Sequence, residues 1–138
     1  MKLVHLIYLS DLVNADESAL AAILESSVRH NRQNGITGML LYAEGSLIQV
    51  LEGDELVVQE TYDRICQDRR HAHVTCLQRE ALSHRHFAQW SMGYKRLLPE
   101  DLEKFPKLAP HFRYSPGAKL FDVRPGDALD MLLLFSKR

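Results

Sequence analysis

Three polar side chains stand where the sequence otherwise reads as core. In the run LIQVLEG, alternation places Leu47, Gln49 and Leu51 on one strand face and Ile48 and Val50 on the other, both apolar. Tyr8 shares a face with Val4 and Leu6 in LVHLIYLS, and Trp90, Met92 and Tyr94 share one in WSMGY. An amide carries a donor and an acceptor on one rotatable group, a phenol carries both on one oxygen, and an indole only donates. Burying any of them without a partner costs about 1–3 kcal/mol. If these faces meet, the three must satisfy one another or something bound.

Two further sets fall at helical spacing. Leu24, Ser27 and Asn31 lie on one stripe of a first helix, and Arg64, Asp68 and His71 on one stripe of a second, with Ile65 beside them. Helices laid side by side would enclose a slot with apolar walls, Leu24 and Ile65, and polar ends. A flat heteroaromatic ligand with several hydrogen-bonding edges suits such a slot. Taken singly, each residue has a plainer account. A buried Gln is usually paired inside the core, Tyr8 is a core aromatic whose hydroxyl reaches the backbone, and an Arg–Asp pair at i,i+4 is a solvated surface pair. Only the joint arrangement favours a site.

The elements that must position these residues are legible in order. A strand is expected over Leu3 to Ser10, then a helix capped by Asn14 or Asp16, with Glu17 placed for a capping box with Asn14, running to about Gln33 before the Asn34-Gly35 stop. A hairpin follows, Met39 to Tyr42 and Leu47 to Leu51 around Glu44-Gly45. A second helix runs from Glu55 to about Arg70, and strands from His73 to Arg79 and from Trp90 to Tyr94. This β-α-β-β-α-β order with a fifth strand predicts an α+β, ferredoxin-like fold with both helices on one sheet face. Beyond it, a short helix from Leu98, a turn-rich stretch PHFRYSPGAKLFDVRPGD and a nearly all-apolar helix GDALDMLLLFSKR are expected to cover the other sheet face or meet another subunit.

Bulk properties narrow the classes. The 138 residues suit one core; 46% are hydrophobic and 25% charged. A net charge of −1 gives no global pull toward nucleic acid or membrane, and no run approaches the roughly 20 apolar residues of a span. The N-terminal run MKLVHLIYLSDLV lacks the cleavage pattern of a secretory signal, and Cys66 and Cys76 have neither metal nor redox spacing, so a reducing cytoplasm is expected. A metal site from His71, His73, Cys66, Cys76, His84 and His86 matches no structural zinc pattern. No activated Ser or Cys nucleophile and no phosphate-cradling glycine loop appears, which speaks against an enzyme.

Residues 3–94 resemble the BLUF domain, a blue-light sensor that uses flavin. The segments carrying the resemblance are LIYLS around Tyr8, ILESSVRHN ending at Asn31, GITGMLLY, IQVLEG around Gln49, YDRICQDRRH ending at His71, and FAQWSMGY around Trp90 and Met92. The resemblance implies a noncovalent flavin, FAD by preference and FMN otherwise, between the two helices. Asn31 and His30 would bond the pyrimidine edge; Arg64, Asp68 and His71 would hold that edge, the ribityl chain or the phosphate; Ser27 would add a minor contact. Gln49 would bridge Tyr8 and the ring, electron and proton transfer from Tyr8 would leave Gln49 rearranged, and a small red shift would decay in the dark. Trp90 and Met92 would compete for the space beside Gln49.

The resemblance also implies residues 1–95 as the photosensory domain and 96–138 as a helical extension of the kind found in short, single-domain members. Output would pass along the last strand to that extension, and then to a protein partner or through self-association as a homo-oligomer. Alternatives are a flavin-free interaction module of the same fold or a small flavin oxidoreductase.

Overall fold

The computed structural model describes residues 2–14, 16–105 and 126–136. The alternation in the strands sorts their side chains onto two sheet faces. In β1 (Leu3–Leu12) the even-numbered Val4, Leu6 and Tyr8 face one way and Ile7 and Leu9 the other; in β3 (Ser46–Asp54) Leu47 and Leu51 oppose Ile48 and Val50. Both faces are covered, which is why nearly every residue of these two central strands is buried.

Helix α1 (Glu17–Asn34) follows β1. Asp16 is its N-cap, accepting from the Ala19 N–H at 2.7 Å. Asn14 lies outside the helix and accepts from the Asp16 N–H, so of the two candidates Asp16 is the cap. Gly35, in the left-handed conformation, closes the other end. Strand β2 (Thr37–Ala43) joins β3 through Glu44-Gly45, both at positive φ, the turn geometry whose twist matches a two-residue hairpin.

Helix α2 (Glu55–Gln67) and strand β4 (His71–Ala81) complete the β-α-β-β-α-β unit, and β5 (Gly93–Arg96) adds the fifth strand. The sheet order is β4-β1-β3-β2-β5, antiparallel except that β5 runs parallel to β2. This is the ferredoxin-like arrangement with one strand added at the β2 edge. Helices α1 and α2 pack on the Tyr8 face with Leu20, Ile23 and Val58.

The opposite face is closed by the short helix α3 (Pro99–Leu102) and by α4 (Asp127–Ser136). Leu102 and the buried Ala128, Met131, Leu132 and Phe135 join Ile7, Leu41 and Val50 in one cluster. Most of the turn-rich stretch between α3 and α4 lies outside the described residues.

Two sequence expectations are corrected. Helix α2 ends at Gln67, not near Arg70: Asp68 is already extended (φ −76°, ψ 118°) and its carboxylate accepts the Arg70 N–H at 2.9 Å, a local side-chain bond that competes with further helix. The last strand begins at Gly93, not Trp90, because residues 90–92 belong to an irregular segment held to β2 by the Trp90 carbonyl and the Gly38 N–H at 3.1 Å.

Candidate functional site

Tyr8 and Gln49 are cross-strand partners in the β1–β3 register, at the centre of the sheet. Directly opposed residues have their Cβ atoms within about 5.5 Å, so the pairing that buries the strands also forces phenol and amide together. Tyr8 is wholly buried and its hydroxyl donates to Gln49 Oε1. The Gln49 Nε2 donates to Met92 Sδ at 3.3 Å. A thioether sulfur can only accept, so the amide nitrogen faces it and the carbonyl faces Tyr8, which must then be the donor. The chain of bonds has one consistent direction.

Burial pushes the Tyr8 phenol well above the ordinary tyrosine range, with the nearby Tyr62, Cys66 and Asp68 adding to the effect. The phenol therefore keeps its proton until something takes it. The Tyr62 ring lies 5.7 Å from the Tyr8 ring and the His71 ring 6.4 Å away.

A cleft opens between α1 and α2 with Tyr8 and Gln49 in its lining. Ile23, Leu51 and Ile65 supply apolar surface; Ser27, His30 and Asn31 from α1, and Arg64, Asp68 and His71 from the other side, supply polar groups. Each of these predicted residues is brought to one cleft, although the route differs from the expected one. Arg64 reaches it from α2, Asp68 from the cap and His71 from the first position of β4, so the three do not share a helical stripe.

Leu24 does not line the cleft. It lies in a second, more open groove with Val28, Met92 and Tyr94. Trp90 and Met92 also part company: Met92 packs with the Tyr8 face and Trp90 with the α4 face. Alternation cannot put them on one face because they precede the strand. Trp90 stacks instead over Gly93, where an added Cβ would stand 2.9 Å from Trp90 Cε3 and 2.7 Å from Met39 Sδ. Only glycine admits that approach.

The hydrogen bonds around His30 fix its tautomer. Arg64 Nη1 donates to His30 Nδ1, so the other nitrogen carries the proton and donates to Thr61 Oγ1 at 3.0 Å; Thr61 in turn donates to the Val57 carbonyl at 2.8 Å. Burial, then the Arg64 charge, lowers the His30 pKa and keeps the ring neutral. Burial likewise lowers that of His71, whose Nδ1 meets Ser10 Oγ at 2.9 Å. The Arg70 guanidinium holds the Asp68 carboxyl below the usual carboxylate range, with Nη2 2.6 Å from Oδ2 and Nε 3.0 Å from each oxygen. Arg70 Nη2 also reaches Ser26 Oγ at 3.3 Å, tying α1 to the segment after α2.

Ser26, Thr61 and Arg70 line the cleft and were not expected from the sequence. Arg70 had a signal, an acidic residue two positions earlier able to turn the backbone, but the apolar spacing of α2 masked it. Among the described residues no group of three or more His, Cys, Asp or Glu could hold a metal ion, and no helix is long and apolar enough to cross a membrane.

The lining fits a flavin. Asn31 spends its Nδ2 on the Ser91 carbonyl at 2.7 Å, which leaves its carbonyl oxygen to accept from a ring N–H. Arg64 and Arg70 bring cationic groups to the same cleft, and Ile23 and Ile65 offer apolar contact for a flat ring.

Comparison with known proteins bears on this site directly. The photoactivated adenylate cyclase subunit beta of Euglena gracilis is 38% identical over 90 residues, covering 64% of this chain but 10% of that protein. The chain thus spans about a tenth of that relative, and the cyclase activity belongs to a much longer protein. Among solved structures, BlsA in its photo-activated state matches with a TM-score of 0.76 and 27% identity over 96% of this chain and 93% of that one. The dark-state structure of the BLUF protein BlrB matches with a TM-score of 0.74, 27% identity and the same coverage. Residues 3–93 match the family model for sensors of blue-light using FAD, and the chain belongs to that family, BLUF, whose members sense blue light with a flavin.

Proposed function

We propose that this chain senses blue light through the Tyr8–Gln49–Met92 hydrogen-bond chain and signals by rearranging it. The observation that carries the proposal is that chain itself, on the sheet face that bounds the cleft between α1 and α2. When bound, the flavin supplies blue absorption and an excited state able to accept an electron. Tyr8 is the donor: its phenolic electron leaves, and its proton moves along the bond to Gln49. Gln49 then changes what it donates and accepts, by rotation or by tautomerisation, and Met92 loses or exchanges its N–H partner. The electron and proton return to Tyr8, and the altered amide persists until it relaxes in the dark.

Asn31, His30, Arg64, Asp68, Arg70 and His71 would hold the flavin, with Ser27 a lesser contact. Two arginines near the cleft suit a phosphate-bearing flavin, FAD first and FMN second. We further propose that residues 1–95 form the sensor and 96–138 the extension that relays its state, and that this chain signals to a protein partner or to a second copy of itself without turning over a substrate. The match over 93% of BlrB supports a sensor of that small kind. The relay has a physical course: Gln49 to Met92, then back along the chain to Trp90, which packs on the α4 cluster. It requires an element with two discrete states. Hydrogen exchange in darkness and under light should differ within residues 88–138; identical exchange throughout that range would sink the relay.

The decisive experiment is the absorption spectrum of purified, flavin-loaded protein in darkness and just after blue light. A small red shift that recovers in the dark is the expected result. Bleaching, or no response, would point to a flavin protein of another kind such as an oxidoreductase. No uptake of FAD or FMN would leave the fold as an interaction module.

A further inference from the structure

Glu52 lies three residues after Gln49 on β3, on the opposite face of the sheet, and is fully buried. A buried carboxylate is costly unless donors surround it, and here three do. Thr37 Oγ1 donates to Oε1 at 2.9 Å, the Phe87 N–H to the same oxygen at 3.0 Å, and the His86 N–H to Oε2 at 2.7 Å. Arg85 Nη1 adds bonds to the Glu52 carbonyl at 3.0 Å and to Thr37 Oγ1 at 2.9 Å. Two of the donors are backbone groups of the irregular segment that leads to Trp90 and Met92.

That segment is also anchored by the Phe87 ring, buried in the α4-side cluster against which Trp90 packs, and by two of its carbonyls. The Trp90 carbonyl accepts from Gly38 and the Ser91 carbonyl from Asn31, and Met92 follows at once. We propose that Glu52 is a positioning residue of the light switch. Its carboxylate fixes the start of the 86–92 segment and thereby sets where the Met92 sulfur meets the Gln49 amide. One strand then holds both the residue that switches and the clamp that aims its partner. This inference rests on the blue-light reading for its kinetic consequence, but its structural content does not need a flavin.

The test is Glu52→Gln, which keeps shape and volume but turns an N–H₂ toward one of the donors the carboxylate satisfied. With methionine methyl groups labelled, the Met92 resonance should move in flavin-free protein. In FAD-loaded protein at equal saturation, dark recovery should change by about tenfold, the worth of one charge-assisted hydrogen bond. A Met92 signal that stays in place and recovery within about twofold of the parent, with only the melting temperature lowered, would make Glu52 a structural residue alone and overturn the proposal. Should Glu52→Gln fail to fold, Thr37→Val removes one donor of three and should move Met92 in the same way; an unmoved Met92 there also overturns it. Absence of any light response in the parent protein would defeat the blue-light reading, whereas the methyl shift would still decide the clamp.

Discussion

The amide nitrogen of Gln49 lies 3.3 Å from the sulfur of Met92, while Trp90, two residues earlier in the chain, packs on the other side of the sheet. The residue in contact with the switch is therefore the thioether, a weak acceptor on a flexible side chain. Replacing it should perturb the lifetime of the lit state more than the initial photochemistry. Met92→Leu keeps the volume and deletes the acceptor, leaving the Gln49 N–H₂ short of a partner. Dark recovery should change several-fold, roughly the worth of a neutral hydrogen bond near 1 kcal/mol, with the red shift retained. An unchanged recovery time, read by absorbance after a blue flash, would mean that the sulfur does not hold the resting amide.

Tyr8 and Gln49 make a paired prediction. Tyr8→Phe preserves the packing on Tyr62 but removes the oxidisable phenol; Gln49→Leu fills the amide's place and removes the group that rearranges. Both should bind flavin and give no reversible red shift. Gln49→Leu also strands the Tyr8 hydroxyl, which is wholly buried, so it should lose about 1–3 kcal/mol of stability. A persisting red shift in either variant would remove that residue from the mechanism.

The Asp68–Arg70 pair closes one end of the cleft by reaching Ser26 on α1. Arg70 remains partly exposed, so the effect of losing it is screened. Arg70→Ala should weaken FAD and FMN binding by roughly three- to tenfold and riboflavin binding less, because only the phosphate-bearing forms gain from the cation. Isothermal titration of all three ligands reads this out. Equal weakening of all three would place Arg70 against the ring edge or make it purely a latch.

Much of this is legible in the sequence itself. Period-two alternation and a strong hairpin turn mark β1, β2 and β3 and place Tyr8 and Gln49 among apolar neighbours; that the two meet is implied by the family resemblance, and the β1–β3 register pairs them. What stayed hidden depends on backbone that is not periodic. The end of α2 is marked by the Arg70 N–H donating to the Asp68 carboxylate two residues earlier, which apolar spacing does not report. The separation of Trp90 from Met92 follows from two residues lying outside the strand, where alternation has no meaning. Glu52 and His5 are charged or titratable by type, and their spacing does not report that they are buried: the backbone of His86 and Phe87 closes on Glu52, and the His86 ring lies beside His5.

His5 gives the last prediction. It faces Glu52 across β1 and β3 and Glu80 across β1 and β4, with the His86 ring 6.4 Å away, yet neither of its ring nitrogens has a partner among the described residues. Burial lowers its pKa below the ordinary histidine value, Glu80 and Glu52 oppose that, and His86 reinforces it. A histidine with a lowered folded pKa binds fewer protons folded than unfolded once pH drops below about 6.5, so stability is greatest above that value and falls as the solution is acidified through the window below it. His30 and His71, lowered for the same reason, act in the same direction. His5→Leu removes two unsatisfied polar atoms and one of the three titrations. It should leave stability at pH 7 equal or raise it by about 1 kcal/mol, and it should flatten the decline between pH 6.5 and 5 seen in urea unfolding, a window set by the unperturbed histidine value. A steeper decline would mean that protonated His5 is stabilised by Glu52 and Glu80 more than burial opposes it.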